Sequence, residues 1–149
     1  MELIRYSYNL KSHHRGCIAT IGNYDGVHLG HQAVLRQLKR HAEVLDLPAL
    51  VITFEPHPQE FFKSGDAPTR ITSFREKLEI LKQQDVDRVL CLRFQQSIAD
   101  LSAEQFIEQF LSDDLGVKRL IIGDDFKFGK GREGNFEMLQ EFGEKLGFE

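Results

Sequence analysis

Two histidines with a glycine between them, His28 and His31, are the residues whose types and spacing best suit chemistry in this chain. They close a glycine-containing stretch, residues 22–31, that follows an apolar run and precedes a long amphipathic segment. Where a strand passes into a helix in this way, the first helical N–H groups have no intrahelical partner and the helix dipole favours an anion. Glycines let a ligand approach the backbone closely. The stretch therefore predicts a site for phosphate oxygens, to which the two imidazoles add donors.

Two other interpretations of this histidine pair stay open. A zinc site would need a third and a fourth ligand; His57 could be one of them, but no carboxylate or cysteine is obviously placed to complete the set. The histidines could also be ordinary residues at the start of a helix. We favour the phosphate site because open parallel sheets bind ligands at the carboxyl ends of their strands.

A proline-flanked histidine follows the second apolar run. Residues 54–58 read Phe-Glu-Pro-His-Pro, and an aromatic pair follows at Phe61 and Phe62. Two prolines hold the intervening histidine in an extended, rigid loop. An aromatic pair beside such a loop could stack on a planar ligand, and simple loop packing is the alternative.

A glycine-rich loop, residues 123–134, follows the fourth apolar run and contains a formal Gly-x-Gly-x-x-Gly. The dinucleotide interpretation is disfavoured because that motif belongs to an opening strand followed by an acidic residue about 20 positions on. The Walker pattern fails because Phe128 occupies its second glycine position. What remains is a flexible loop on the same edge of the sheet, with a basic cluster suited to polyphosphate made of Lys127, Lys130 and Arg132. Asp124 and Asp125 could bind ribose hydroxyls or a divalent metal, and a solvated glycine loop without a ligand is the alternative.

Four short apolar runs must position these loops, and they cover residues 17–21, 50–54, 89–92 and 120–122. Their continuous apolar character is typical of strands that are covered on both faces. Helical patterns lie between and after them, at residues 32–45, 73–83, from 102 onward and 135–146. Alternating strands and helices predict right-handed βαβ units in an α/β, Rossmann-like open parallel sheet with helices on both faces. Residues 63–70 are the best candidate for a mobile loop.

Composition indicates one soluble globular domain spanning residues 1–149. The net charge of −4 gives no global bias toward nucleic acid or an anionic membrane, and no apolar stretch is long enough to span a bilayer. The polar start lacks a signal-peptide core, and Cys17 and Cys91 are expected to be buried, reduced thiols, so we expect a cytoplasmic protein. No residue pattern suggests a covalent nucleophile. Phe148 and Glu149 look like the first residues of another strand, and we expect the chain to be part of a longer protein.

The motifs together resemble a known family. Residues 28–31 match the His-x-Gly-His signature of the nucleotidyltransferase superfamily. The stretches 22–32, 53–58, 70–77 and 123–129 occur in the order found in the N-terminal FAD synthetase module of bacterial bifunctional riboflavin kinase/FMN adenylyltransferase. The resemblance covers essentially the whole chain and implies a nucleotidyltransferase-type fold.

The resemblance implies that FMN and ATP give FAD and pyrophosphate, with Mg²⁺. The FMN phosphate would attack the α-phosphorus of ATP directly, so catalysis would depend on positioning and charge stabilisation. His28 and His31 would be the catalytic residues, because they would hold the phosphates and support charge on the leaving pyrophosphate. The implied nucleotide- and flavin-binding residues are Gly22, Asn23, Tyr24, Asp25, Gly30, Phe54, Pro56, His57, Pro58, Arg70, Asp125, Phe126, Phe128, Lys130 and Arg132. No residue is assigned as a metal ligand.

Two features of the resembled family fall beyond the last residue of this chain. One is a Ser/Thr-rich, arginine-containing motif that grips the ATP phosphates from the opposite side, and the other is the C-terminal riboflavin kinase domain of the parent chain. Small-molecule nucleotide and flavin substrates are the expected partners. Two alternatives stay open: a nucleotidyltransferase for another acceptor, such as phosphopantetheine or glycerol phosphate, and an inactive nucleotide-binding fragment.

Overall fold

Five parallel strands form one sheet in the order β1-β4-β3-β2-β5. The computed structural model describes residues 1–24, 29–55, 73–123 and 127–149. In this part of the chain the strands are β1 (Glu2–Arg5), β2 (Cys17–Ile21), β3 (Ala49–Phe54), β4 (Arg88–Leu92) and β5 (Val117–Ile121). The predicted open parallel sheet is confirmed.

Five α-helices lie in the described residues: α1 (Leu29–Leu45), α2 (Phe74–Gln83), α3 (Gln96–Ala99), α4 (Ala103–Phe106) and α5 (Phe136–Leu146). A π-helix, Ile107–Asp114, continues directly from α4. Three 3₁₀ turns cover Ser7–Asn9, Ser12–His14 and Lys130–Arg132. None of these described helices is long and apolar enough to cross a membrane.

Helices cover both faces of the sheet, as predicted. Consecutive residues of a strand point to opposite faces, so Ile18 and Val51 pack with α1 and α2, whereas Ala19 and Ile52 belong to a second core. That second core takes its helical side chains from α4, the π-helix and α5, namely Ala103, Phe106, Ile107, Phe110, Leu111 and Leu139. The helical spacing of apolar residues after residue 102 correctly predicted which side chains are buried. It did not reveal that residues Ile107–Asp114 form a π-helix.

Polar side chains begin three of the helices. The hydroxyl of Ser73 accepts from the Glu76 N–H at 3.1 Å, and Ser102 forms a complete capping box with Gln105. Asn135 accepts from the Met138 N–H at 2.9 Å. These contacts confirm the predicted starts of α2, α4 and α5.

The structure differs from the prediction at the first strand. No strand was predicted before residue 17, yet β1 pairs with β4 from Glu2 to Arg5. Only Ile4 of this four-residue strand is buried, because β1 lies at the edge of the sheet. A four-residue strand with a charged residue at each end has too little apolar pattern to be recognised from the sequence. Its pairing with β4 decides its conformation. The strand β5 also begins at Val117, three residues earlier than predicted.

Both cysteines are buried and free, as predicted. Burial raises the pKa of the Cys17 thiol to about 12, so this group stays protonated at neutral pH.

Near the C-terminal end of the chain, Gly147 ends α5 in the left-handed conformation, with φ of 90°. The backbone of Glu149 then bonds to Lys118 and Leu120 at 3.0 and 2.7 Å, which is the hydrogen-bond pattern of a parallel neighbour of β5.

Candidate functional site

The carboxyl ends of the five strands meet at one edge of the sheet, here called the carboxyl edge, because all five strands are parallel. The turn after β2 and the start of α1 lie there. The helix begins at Leu29, three residues before the predicted start, so Gly30 and His31 belong to its first turn. The N-terminal end of α1 therefore lies at the carboxyl edge, where the sequence predicted an anion site.

Tyr24 lies just after β2 and connects that strand to the first turn of α1 through side-chain contacts. Its hydroxyl lies 2.7 Å from the hydroxyl of Thr20, and its ring centroid lies 4.8 Å from that of His31. The Tyr24 side chain is buried, which raises the pKa of its phenol to about 12 and keeps it neutral. Its backbone adopts φ of +52°, in the left-handed region that non-glycine residues rarely occupy. The ring therefore supports the His31 imidazole from one side.

Gly22 is required by this packing. A Cβ at Gly22 would lie 2.9 Å from Cε2 of Tyr24, so any larger residue would displace the ring. The Gly22 N–H donates to Ile52 at 3.0 Å, which extends the pairing of β2 with β3 beyond the end of the strand. The contacts of Gly22 therefore explain the glycine through protein packing.

Lys77 of α2 is a charged residue buried completely beneath the same turn. Its ammonium donates to the Asn23 carbonyl at 2.9 Å and to the Thr53 hydroxyl at 3.1 Å. The Thr53 hydroxyl lies 3.4 Å from the same Asn23 carbonyl. This network joins the turn after β2, the end of β3 and α2 at the carboxyl edge.

The end of β3 carries Phe54, which was predicted to border the ligand. Its side chain is 8% exposed and packs edge-on against Phe94, with ring centroids 5.5 Å apart. The adjoining ends of β1 and β4 border a cavity of about 340 Å³. Its lining includes Tyr6, Leu92, Arg93, Gln95, Ile98 and Phe110.

The basic glycine loop is anchored over residues 127–134. Phe128 and Gly134 form an antiparallel bridge, and the Lys130 N–H donates to the Leu101 carbonyl at 2.8 Å. A Cβ at Gly129 would lie 2.7 Å from the backbone of Ala103, so glycine permits this close approach. The sequence predicted a flexible loop that carries a basic cluster. These contacts join the described part of the loop to the start of α4.

The carboxylate of Glu133 completes this anchor, because it accepts from the Ala103 N–H at 3.0 Å. The Phe128 ring is buried against Phe106, with centroids 5.7 Å apart. The three predicted phosphate-binding cations, Lys127, Lys130 and Arg132, are all exposed. The described part of the loop therefore presents cations to solvent, while the Phe128 ring packs inward.

Several predicted site residues lie outside the described residues. They are Asp25, His28, Pro56, His57, Pro58, Arg70, Asp125 and Phe126, as well as Phe61, Phe62, Asp124 and the predicted mobile loop at 63–70. Their roles stay predictions. The described carboxyl edge brings together Gly22, Asn23, Tyr24, Gly30, His31 and Phe54.

A cluster of metal-ligand types in the described part of the chain lies at the opposite, amino edge. Glu2, His13 and His14 offer ligand atoms within 4.8 Å of one another. Nδ1 of His14 accepts from the Lys11 N–H at 2.8 Å, so the proton of the neutral ring sits on Nε2 and is donated to Glu2 at 3.0 Å. Both ring nitrogens are engaged, which argues against a metal here.

Three polar residues at the carboxyl edge, Lys77, Thr20 and Thr53, were not assigned any role in our sequence analysis. Lys77 did carry a signal, because it lies three residues after Phe74 and four before the fully buried Leu81. A lysine on the apolar stripe of a short helix is unusual and indicates a specific buried partner. The two threonines lie within apolar strands and gave no comparable signal.

The similarity to known proteins agrees with this architecture. The FAD synthetase family matches residues 10–149 of the chain. A bifunctional riboflavin kinase/FMN adenylyltransferase of Pseudomonas fluorescens is 49% identical over 99% of this chain and 47% of its own length. The protein of the same description from Escherichia coli K12 is 48% identical over 100% of this chain and 48% of its own length. The chain thus spans about half the length of these curated relatives.

A solved structure shows the same fold. It belongs to a Streptococcus pneumoniae protein described as a macrolide-efflux protein, with a TM-score of 0.83 and 24% identity over 95% of this chain and 47% of the other. At that identity the likeness concerns the fold alone. The match over residues 10–149 decides the family. The chain belongs to the FAD synthetase family.

Proposed function

We propose that this chain transfers the adenylyl group of ATP to FMN and releases pyrophosphate. Membership of the FAD synthetase family supports the substrates and the reaction. The proposal is assigned to particular residues on the basis of one observation. His31 lies in the first turn of α1, at the carboxyl edge. This is the position at which an open parallel sheet and a helix N-terminus jointly favour phosphate groups.

The chemistry needs no covalent enzyme intermediate. A phosphate oxygen of FMN attacks the α-phosphorus of ATP, a new P–O bond forms, and the bond to the leaving pyrophosphate breaks. Negative charge accumulates on the pyrophosphate as it leaves. The N–H groups of the first turn of α1, together with the imidazoles of His31 and His28, would stabilise this charge.

The remaining predicted residues are proposed to bind the two substrates. Lys130 and Arg132 are exposed cations on an anchored loop, which suits them to the polyphosphate of ATP. Asn23, Tyr24 and Asp25 are proposed to shape the nucleotide turn. The loop that follows Phe54 is proposed to border the flavin. Phe54 and Phe128 are themselves buried in the core, so their contribution would be to support this surface.

Mg²⁺ is expected in adenylyl transfer, where it would neutralise phosphate charge. The described residues do not present a group of oxygen ligands at the carboxyl edge, and their one candidate metal cluster lies at the amino edge and includes two histidines. Asp25, Asp124 and Asp125 lie outside the described residues. We therefore assign no catalytic step to the metal.

The relatives' names also couple this activity to riboflavin kinase. We propose that the protein acts beside a riboflavin kinase module, with small-molecule partners and in the cytoplasm. Phosphorylation of riboflavin by that module would supply FMN to this domain.

The decisive experiment incubates the chain with ATP, Mg²⁺ and FMN and follows FAD by chromatography and pyrophosphate by a coupled assay. The same measurement is made on a chimera in which the remaining half of the Escherichia coli relative follows residue 149. Formation of FAD by either protein supports the proposal. A product with phosphopantetheine or glycerol phosphate but none with FMN would establish a different acceptor. Inactivity of both proteins with every acceptor would favour a binding fragment.

A further inference from the structure

Lys77 is the fully buried charged residue among those the structure describes, and the adenylyl-transfer chemistry above does not use it. It lies on the face of α2 that also carries Leu81, which is fully buried in the core beneath the sheet. Burying an ammonium costs free energy that an apolar side chain of similar shape would not cost. Packing alone therefore does not explain a lysine at this position.

The contacts of this ammonium indicate what it does. It donates to the Asn23 carbonyl at 2.9 Å and to the Thr53 hydroxyl at 3.1 Å. Asn23 belongs to the turn that leads into α1, and Thr53 is the penultimate residue of β3. The side chain thus reaches from α2 to two segments that end at the carboxyl edge.

Holding the Asn23 carbonyl also sets the conformation of the next residue. The peptide unit is planar, so the direction of the Asn23 carbonyl determines the direction of the Tyr24 N–H. Tyr24 adopts φ of +52° in this arrangement. A rotation of the peptide would release Tyr24 to an ordinary negative φ and would move its ring away from Thr20 and His31.

We propose that Lys77 is a positioning residue for adenylyl transfer, which holds the Asn23 peptide and thereby the Tyr24 ring and the His31 imidazole. This inference rests on the proposed function. Lys77 does not touch the reacting atoms in this account. It acts through the turn, so its loss should lower the rate of the chemical step more than it weakens substrate binding.

The test replaces Lys77 with methionine, which keeps the unbranched stem and removes the ammonium. The matched control is Lys82→Met, because Lys82 is an exposed lysine on the same helix. Three quantities are measured in the active form of the protein: kcat and KM for FAD formation, the melting temperature, and nuclear Overhauser contacts between the rings of Tyr24 and His31. Those rings lie 4.8 Å apart, so the contact is observable when the turn is intact.

We expect Lys77→Met to fold with a lower melting temperature, because the Asn23 carbonyl and the Thr53 hydroxyl lose this donor. The variant should also lose the contact between the two rings and lower kcat about 10- to 100-fold, with KM changed less than about threefold. Lys82→Met should change none of these quantities. A folded Lys77→Met protein with wild-type kcat and an intact ring contact would overturn the proposal, and so would a loss of stability with unchanged kcat.

A second variant decides the question if Lys77→Met does not fold. Thr53→Val keeps the ammonium and removes the hydroxyl that accepts from it at 3.1 Å. A weaker ring contact and a kcat at least about threefold lower would support the proposal, whereas unchanged values would overturn it. If neither the unaltered chain nor the chimera makes FAD, the proposed function fails, and the ring contact in these variants still decides whether Lys77 holds the Asn23 peptide.

Discussion

The two edges of the sheet differ in how completely they bury their polar side chains. At the carboxyl edge, Lys77, Thr53 and Thr20 are completely buried and bond to the turn that precedes α1. At the amino edge, ion pairs such as that between Lys39 and Asp85 lie largely in solvent, with 43% and 64% of the two side chains exposed. Both edges are polar and both bury a polar group, since His14 at the amino edge is 4% exposed, but the partner of His14 there, Glu2, is 46% exposed. The hydrogen-bonded side chains named at the carboxyl edge are all completely buried.

This difference indicates that the polar groups of the two edges have different roles. Buried hydrogen bonds at the carboxyl edge hold the backbone in place, whereas exposed ion pairs at the amino edge mainly face water. A buried hydrogen bond has no water to replace it, so its loss leaves an unsatisfied group and permits the backbone to move. An exposed ion pair exchanges readily with water and contributes little. A cavity of about 540 Å³ lies at the amino edge, yet several of its lining groups, including Lys39, Asp85 and Asp87, are already bonded within the protein. Volume alone therefore does not identify the candidate site.

The largest effect is expected for His31→Ala at the carboxyl edge. Removing a donor that stabilises the leaving pyrophosphate should lower kcat about 100-fold, as measured by FAD formation. The matched control is His41→Ala on the same helix, because His41 contacts Arg119 at 2.8 Å and lies more than two turns away. Its kcat should stay within about twofold of the unaltered protein. Equal losses in the two variants would contradict the assigned role.

The second prediction concerns the buried pair of hydroxyls. Thr20→Val leaves the buried Tyr24 phenol without its partner at 2.7 Å and should lower the free energy of unfolding by about 1–3 kcal/mol. The double variant Thr20→Val, Tyr24→Phe removes both hydroxyls and should recover much of that loss. Chemical denaturation measures both values. A double variant that is less stable than the sum of the single losses would refute this account of the pair.

A smaller, pH-dependent effect is expected at the amino edge. The hydrogen bond from His14 lowers the pKa of Glu2 below its ordinary value of 4.5, and nearby positive charge on Arg88 acts in the same direction. Because the folded pKa is lowered, the stabilisation is present above pH 4.5 and is lost as the pH falls through the folded value. Glu2→Gln should therefore cost about 0.5 kcal/mol or less near pH 7, since Glu2 is half exposed.

The loss in Glu2→Gln should disappear in acid, below the folded pKa of Glu2. Denaturation at a series of pH values measures the difference between the variant and the unaltered protein. If the difference in the free energy of unfolding grows as the pH falls, the pKa of Glu2 is not lowered in the folded protein and the prediction is wrong.

The smallest effect is expected for Lys39→Ala. The ammonium lies 2.7 Å from Asp85 and 4.0 Å from Glu43, and all three groups are exposed. Water and salt screen such pairs, so the melting temperature should change by no more than about 1 °C. Thermal unfolding at low and at high salt checks this. A large decrease in melting temperature that disappears in high salt would contradict this prediction. It would show that the exposed ion pairs of the amino edge stabilise the protein appreciably.

Much of the fold was predictable because its signals are local. Continuous apolar runs marked β2 to β5, and Ser73, Ser102 and Asn135 marked three helix starts through side chains that bond to their own helices. The edge strand β1 was missed because its conformation depends on pairing with β4, which lies more than 80 residues away in the chain. The sequence also predicted that Gly30 and His31 lie near the start of a helix that follows a strand, and both lie in the first turn of α1, while their roles stay predictions.

The amino-acid sequence by itself determined the fold class, the family motifs and the edge of the sheet on which the loops gather, because each depends on local pattern and on strand direction. Only the tertiary structure decided that Lys77 reaches the Asn23 carbonyl, that Tyr24 packs between Thr20 and His31, and that the glycine loop rests on α4. These contacts join segments that are distant in the chain, and no local pattern encodes which polar group meets which partner once water is excluded.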